Sequence, residues 1–325
     1  MDTYIQNNGS KTDASSVSKQ ESAAWPYPWF QDEAYQSRGS VSGRLILSDG
    51  RPASHAAVFL GDVLPSNKTS LDMGSWYYYT AYTDVKGYFS IPNVRTGSYG
   101  LQAWSNGSSV MRDVTTTFTI DEVQVKRGED TSLGQNLNWP VSTRKKVFQV
   151  GDFDHYAYGF KHGGAPWQHG LSAECPANLT WTVGSSETED WCFAQVHKGN
   201  WTIRFKVDEK KKRHRSAVIK ERKLKLIVSL AGYSAGASST VWVNDVVVGN
   251  LTSGVAATPA TFGLLSDPSL YRSATAAGEW RYFEFELGKE ALRKDKKSWN
   301  EVRFEVINSD GTWRGFMWDS VILEW

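Results

Sequence analysis

Along most of this chain apolar and polar residues alternate in short runs with a period of two. In GSVSGRLILSDGRPASHAAVFLG, Val41, Gly43, Leu45 and Leu47 alternate with Ser40, Ser42, Arg44 and Ile46, the pattern of a strand with one buried face. Asp49-Gly50 follows as a tight-turn signal before a second apolar run at Ala57, Val58, Phe59 and Leu60, so a hairpin is predicted here. In YYYTAYTDVKGYFSIPNVRTGSYGLQAW, turn chemistry at Asp84 to Gly87, Pro92-Asn93 and Thr96-Gly97 separates further short strands. VTTTFTIDEVQV and TSLGQNLNW complete the set near Trp139, and the spacing predicts a small antiparallel sandwich over residues 39–140. No segment of helical period competes with that reading.

A second, larger all-β unit is predicted over residues 145–325. Its strands fall at Trp201 to Val207, Leu224 to Leu230, Thr240 to Val248, Arg281 to Leu287, Glu301 to Ile307 and Phe316 to Trp325. The inward positions are Leu224, Leu226, Val228 and Leu230 in LKLIVSL, and Phe283, Phe285 and Leu287 in RYFEFEL. Such a run of strands predicts a jelly roll, with one short helical turn near Lys289 to Lys294. Trp181, Trp201 and Trp318 read as core. Residues 1–38 are polar and Ser/Asn-rich until AWPYPWF, a Pro-aromatic cluster that reads as a stiff junction between packed bodies. That segment is expected to be a tail.

Composition narrows the function classes. The 325 residues allow two or three cores. A net charge of +1 provides no global field for nucleic acid, a membrane or a polyanion. No window approaches the roughly 18 consecutive apolar residues of a membrane span. Fifteen tryptophans against four methionines suit β-sandwiches and sugar-binding surfaces. The one strong basic run, KVDEKKKRHRSAVIKERK from Lys206, lies between two predicted strands and reads as a solvated loop rather than a nucleic-acid patch. A monomer that binds neither nucleic acid nor membrane is expected.

Two cysteines, Cys175 and Cys192, permit one intramolecular pairing, and a disulfide is the favoured reading. The alternative is two separately buried thiols. Asn-x-Ser/Thr triplets stand at Asn8, Asn67, Asn106, Asn178, Asn200 and Asn250. In NLTWTV and NWTIRFKV the alternation turns Asn178 and Asn200 to the polar side, where each could carry a glycan. These features predict an extracellular glycoprotein, yet MDTYIQNNGSKTDASS carries no export signal, so the true N-terminus is expected upstream of Met1.

The blocks AAWPYPWF, GSVSGRLILSDGRPASHAAVFLGD, YTDVKGYFSIPNVRTGSYGLQAW, GGAPWQHGL, CPANLTWTVG and RGFMWDSVILEW, taken in order, resemble the C-terminal portion of polysaccharide lyase family 4, the rhamnogalacturonan lyases. The resemblance covers the chain from Ala24 onward. It implies a small fibronectin-III-like (transthyretin-like) β-sandwich followed by a larger β-sandwich jelly roll similar to carbohydrate-binding modules. Residues 1–38 are then a remnant of, or linker from, a preceding catalytic domain. Family members cleave the rhamnose to galacturonic acid backbone of pectin by β-elimination, using a lysine and a histidine of the N-terminal domain. No residue here matches those motifs, so no catalytic residue is assigned, and by itself the chain is expected to be catalytically silent. The implied partner is pectic polysaccharide, rhamnogalacturonan I. The rival readings are a stand-alone wall-binding or scaffold protein, and a self-sufficient lyase using His162 or His169 with a nearby lysine.

Sugar recognition needs flat aromatic faces and hydrogen-bond donors, and Tyr156, Tyr158, Trp167, Trp313 and Arg314 sit in turn-rich segments that could present them. For each, core or rim packing is the plainer alternative. Jelly rolls of the binding-module type commonly hold a structural calcium through oxygen ligands near the first and last strands. Asp152, Asp154 and Asp319, in GDFD and MWDS, are the candidates, against the reading that they are turn or solvent residues. His155, His162 and His169 recur every seven residues in a Gly-rich segment where helical spacing has no meaning. They read as hydrogen-bonded loop histidines rather than a metal site.

Overall fold

The computed structural model describes residues 10–62, 77–107, 110–164, 170–207, 223–234, 237–252, 280–288, 291–293, 298–308 and 314–325. Two β-sandwiches follow one another along the chain, each with its own apolar cluster: one drawn from Val41 to Trp139, the other from Phe148 to Leu323.

The first sandwich contains β1 (Arg38–Leu47), β2 (Ala57–Asp62), β3 (Tyr78–Tyr82), β4 (Tyr88–Arg95), β5 (Gly97–Trp104), β6 (Phe118–Val125), β7 (Asp130–Ser132) and β8 (Leu137–Trp139). One sheet runs β4-β1-β7 with β8 also on β1; the other runs β3-β2-β5-β6. Burial along β1 follows the predicted alternation, with Val41, Gly43, Leu45 and Leu47 inward. The Asp49-Gly50 turn forms, with the Gly50 N–H donating to the Leu47 carbonyl at 2.8 Å. It does not close the expected hairpin, because β2 crosses to the opposite sheet and pairs with β3 and β5. The apolar run of β2 is thereby buried on both faces, with Val58 and Leu60 in the core and Ala57 and Phe59 in a separate outer cluster.

The second sandwich contains β9 (Lys146–Val150), β10 (Leu179–Thr182), β11 (Ala194–Gln195), β12 (Gly199–Phe205), β13 (Leu224–Tyr233), β14 (Ser238–Val243), β15 (Val246–Thr252), β16 (Arg281–Leu287), β17 (Asn300–Asn308) and β18 (Phe316–Glu324). The sheets are β10-β12-β17-β14-β15 and β11-β18-β13-β16, with β9 added on β18. The run predicted as one strand from Thr240 to Val248 is a hairpin. Asn244 takes φ 52° at the turn, a conformation asparagine tolerates. Trp191, Trp201, Trp318 and Phe304 pack edge and face against one another in the core, with Trp181 also buried. Cys175 and Cys192 form the disulfide, Cα to Cα 5.8 Å, and close a loop between positions 17 apart in the sequence. On the chain-entropy argument such a loop contributes about 3 kcal/mol.

The tail contains a helix that the pattern did not predict, α1 (Ser10–Ala24), followed by a short α2 (Glu33–Gln36). Val17, the only large apolar residue of α1, is exposed, so the helix has no apolar stripe to read. AWPYPWF runs on from the end of α1 and precedes α2. It packs at the entry to β1, where the Arg38 guanidinium lies over the rings of Trp25 and Tyr35, while Trp29 stays 72% exposed. Of the turn expected at Lys289 to Lys294, only 291–293 are described; there the Ala291 N–H donates to the Gly288 carbonyl.

Candidate functional site

The chemistry-bearing residues gather where the two sandwiches meet. β5 is covered on both faces, which is why its LQAW run is continuously buried. Leu101 and Ala103 enter the small core, and Trp104 on the other side reaches across, its indole N–H donating to the Asp154 carbonyl at 3.1 Å. From the second sandwich, β9 runs into a loop that crosses the outer face of β13 and β18. There Phe153 packs against Ile227 and Ile322. Gly151 opens that loop at φ +75°, where an added Cβ would lie 2.3 Å from the Asp319 carbonyl. Opposite, Gly107 at φ +62° passes so near Asp154 that a Cβ would meet its carboxylate at 2.5 Å. Both positions therefore favour glycine.

His155 lies flat between two indoles. Its ring centroid is 4.3 Å from Trp104 and 4.2 Å from Trp280, each tilted by 19°. Neither ring nitrogen has a hydrogen-bond partner among the described residues, which corrects the expectation of a hydrogen-bonded loop histidine: stacking holds it instead. Full burial drives its pKa well below the usual value, so the imidazole is neutral. His162 lies elsewhere, 3.4 Å from the Glu174 carboxylate, and His169 is outside the described residues.

Beneath His155 sits a carboxyl pair. Asp319 on β18 is fully buried, and its Oδ1 accepts the backbone N–H groups of Asp154 and His155 at 3.0 and 2.9 Å. Its Oδ2 accepts the Ser229 hydroxyl, which in turn accepts the Trp280 indole N–H. Burial raises both acids: Asp154 to about 7, with the charge of Asp152 adding a smaller push, and Asp319 well above its usual range, with the charge of Asp154 adding to the effect. The third calcium candidate, Asp152, turns away to Arg112, Oδ1 to Nε 2.8 Å. As arranged, the three do not form a calcium cage. Among the described residues no three acidic, histidine or cysteine groups converge, and the groups around Asp319 are N–H and O–H donors where a calcium needs six to eight oxygens.

Two surface features flank this buried seam. Tyr156 and Tyr158 stack on each other, centroids 4.8 Å apart and 14° from parallel, and are 38% and 56% exposed. Burial raises the Tyr156 phenol to about 12, with Tyr82 of β3 close enough to add to the effect. Stacked in this way, each ring covers one face of the other. On another side is a cleft of about 450 Å³ lined by Arg51, Val110, Arg112, Asp113, Lys146 and Gln149. Sequence reasoning passed over it, since its walls come from three separate stretches. Trp167 and Trp313 fall outside the described residues, and Arg314 stands at the entry to β18.

The fold and the seam can be set beside known proteins. A family model described as the fibronectin-like domain II of polysaccharide lyase family 4 matches residues 37–133, and another, its carbohydrate-binding-module-like domain III, matches 146–323. The chain belongs to polysaccharide lyase family 4. It is 30% identical over 301 residues to the rhamnogalacturonate lyase of Dickeya dadantii, covering 91% of this chain and 46% of that protein. A probable rhamnogalacturonate lyase B of Aspergillus niger is 26% identical over 242 residues, 62% of this chain and 31% of that one. The chain thus spans less than half the length of these family relatives. Among the described residues no helix is long and apolar enough to cross a membrane.

Proposed function

We propose that this chain is the non-catalytic C-terminal portion of a secreted rhamnogalacturonan endolyase, and that its two docked sandwiches hold pectic polysaccharide for cleavage by another part of the protein. The observation that carries the binding role is the exposed Tyr156–Tyr158 stack next to Tyr82, which offers aromatic faces from both sandwiches at one place on the surface. The C–H faces of pyranose rings pack on such faces. The catalytic silence is supported by the state of His155. An imidazole closed between two indoles has no access to a substrate proton, and general-base work requires hydrogen-bond reach.

The disulfide and the exposed sequon asparagines Asn106, Asn178 and Asn250 support export through an oxidising, glycosylating route. Asn200 is half-buried beside Asn178, whose Oδ1 accepts its backbone N–H, so it is the least accessible described sequon. Asn67 lies outside the described residues. The test is affinity electrophoresis of the chain through gels containing rhamnogalacturonan, together with an ultraviolet assay for unsaturated ends. Retardation by the polymer, lost in Tyr158→Ala, with no unsaturated product, is the expected result. Product formation by this chain overturns the catalytic silence, and unretarded migration overturns the binding role.

A further inference from the structure

The cleft between the sandwiches is built from both of them. Arg51 and the 110–113 segment come from the first, Lys146 and Gln149 of β9 from the second. Its cations are not equivalent. Arg51 is held by Asp49 and Asp113, at 2.7 and 2.6 Å, and Arg112 by Asp152. Lys146 donates only to neutral oxygens, the Asp113 carbonyl at 3.2 Å and Gln149 Oε1; no carboxylate of the described residues lies within ion-pair distance. The Gln149 amide is anchored in turn to the carbonyls of Arg112 and Gly151, so the ammonium is fixed in place. Val110 adds an exposed apolar side chain.

We propose that this cleft binds the carboxylate of a uronate residue in an acidic oligosaccharide, with Lys146 as its direct partner, Arg112 as a second cation and Val110 against the ring's C–H face. This rests on the pectic reading above, which supplies the sugar; the geometry supplies the charge. A half-buried ammonium without an anionic partner is a preorganised site for one, because a charge-assisted bond there replaces weaker contacts to carbonyls. Burial already depresses the pKa of Lys146, so an arriving carboxylate relieves a standing cost. The volume lies within the roughly 300–1,000 Å³ of small-molecule sites.

The test uses the full chain and two probes, α-1,4-linked trigalacturonate and the trigalactose in which each carboxylate is replaced by a hydroxymethyl group. Calorimetry is expected to give at least about tenfold tighter binding of the acid, a preference lost in Lys146→Met and kept within about threefold in Lys146→Arg. In the unmodified protein, trigalacturonate is expected to shift the Val110 methyl and Gln149 amide resonances, a readout that does not depend on any variant folding. Equal affinity for the two trisaccharides, or shifts confined to Tyr156 and Tyr158, overturns the proposal. Retardation by rhamnogalacturonan with Val110 and Gln149 unmoved by trigalacturonate removes the cleft site and leaves the binding function. Shifts in the cleft without retardation by the polymer do the reverse.

Discussion

The same two sandwiches meet in two unlike ways. In the seam, Trp104, His155 and Trp280 exclude solvent, and burial pushes the titratable groups there toward their neutral forms: the pKa of the His155 imidazole is lowered, and those of Asp154 and Asp319 are raised. A few residues away the cleft keeps its groups charged, with Arg51, Asp113, Arg112 and Asp152 in partly exposed ion pairs. The difference follows from desolvation. An unpaired charge in the seam would cost several kcal/mol, whereas on the rim water still screens and solvates it. The seam should therefore carry the energy of docking, and the cleft its recognition chemistry.

The most direct way to break that division is Trp104→Ala. It removes one wall of the imidazole sandwich, the hydrogen bond to the Asp154 carbonyl and the packing against Phe59. A loss of about 3–5 kcal/mol is expected, read in denaturant unfolding, with the single transition splitting as the sandwiches uncouple. A loss below about 1 kcal/mol would place the docking energy elsewhere.

The neutral state of the seam is open to a pH test. The folded pKa values of Asp154 and Asp319 lie above their unfolded ones, so the folded state binds extra protons. Their contribution is complete below about pH 4 and is lost as pH rises through about 7 for Asp154. His155 acts oppositely. Its folded pKa is depressed below 6.5, so its cost grows as pH falls below that value. The two trends offset each other at acid pH, and above about 6.5 the carboxyl pair acts alone. Stability should fall between pH 6.5 and 8, by up to about 1.4 kcal/mol per unit for each proton held. Asp319→Asn keeps an oxygen for the two N–H groups and should flatten that slope; an unchanged slope would assign it to other groups.

Much of this architecture could be read from alternation, because period-two burial is local. β1, β12 and β13 fall where the pattern puts them. What alternation cannot report is which sheet a strand joins, hence the mistaken β1–β2 hairpin, or a helix without an apolar face, such as α1. The seam was legible only in fragments. Asp152, Asp154 and Asp319 were marked as a group by their positions near the first and last strands, but the imidazole sandwich joins residues 104, 155 and 280, and nothing local to any of them announces the other two. A hint existed in LQAW: a strand apolar or buried on both faces needs a second partner, and here that partner is the other sandwich.

A smaller effect is expected on the rim. Asp113→Asn removes a carboxylate whose side chain is 60% exposed and paired with Arg51 at 2.6 Å. Exposed pairs are worth about 0–1 kcal/mol and weaken with salt, so stability should change by less than 1 kcal/mol, as chemical denaturation would record. A larger loss would make the rim, too, part of the docking energy.

The smallest expected effect is that of a calcium chelator. Asp319 already accepts two N–H groups and a hydroxyl, and Asp152 faces Arg112, so EDTA should leave the melting temperature unchanged. This outcome is tied to the pH test through its sign. A calcium held by Asp154 and Asp319 would require both carboxylates ionised, and stability would then rise with pH through the range where protonated acids make it fall. A chelator-induced drop in melting temperature, together with a rising slope between pH 6.5 and 8, would turn the seam from a neutral contact into a charged one and erase its contrast with the cleft.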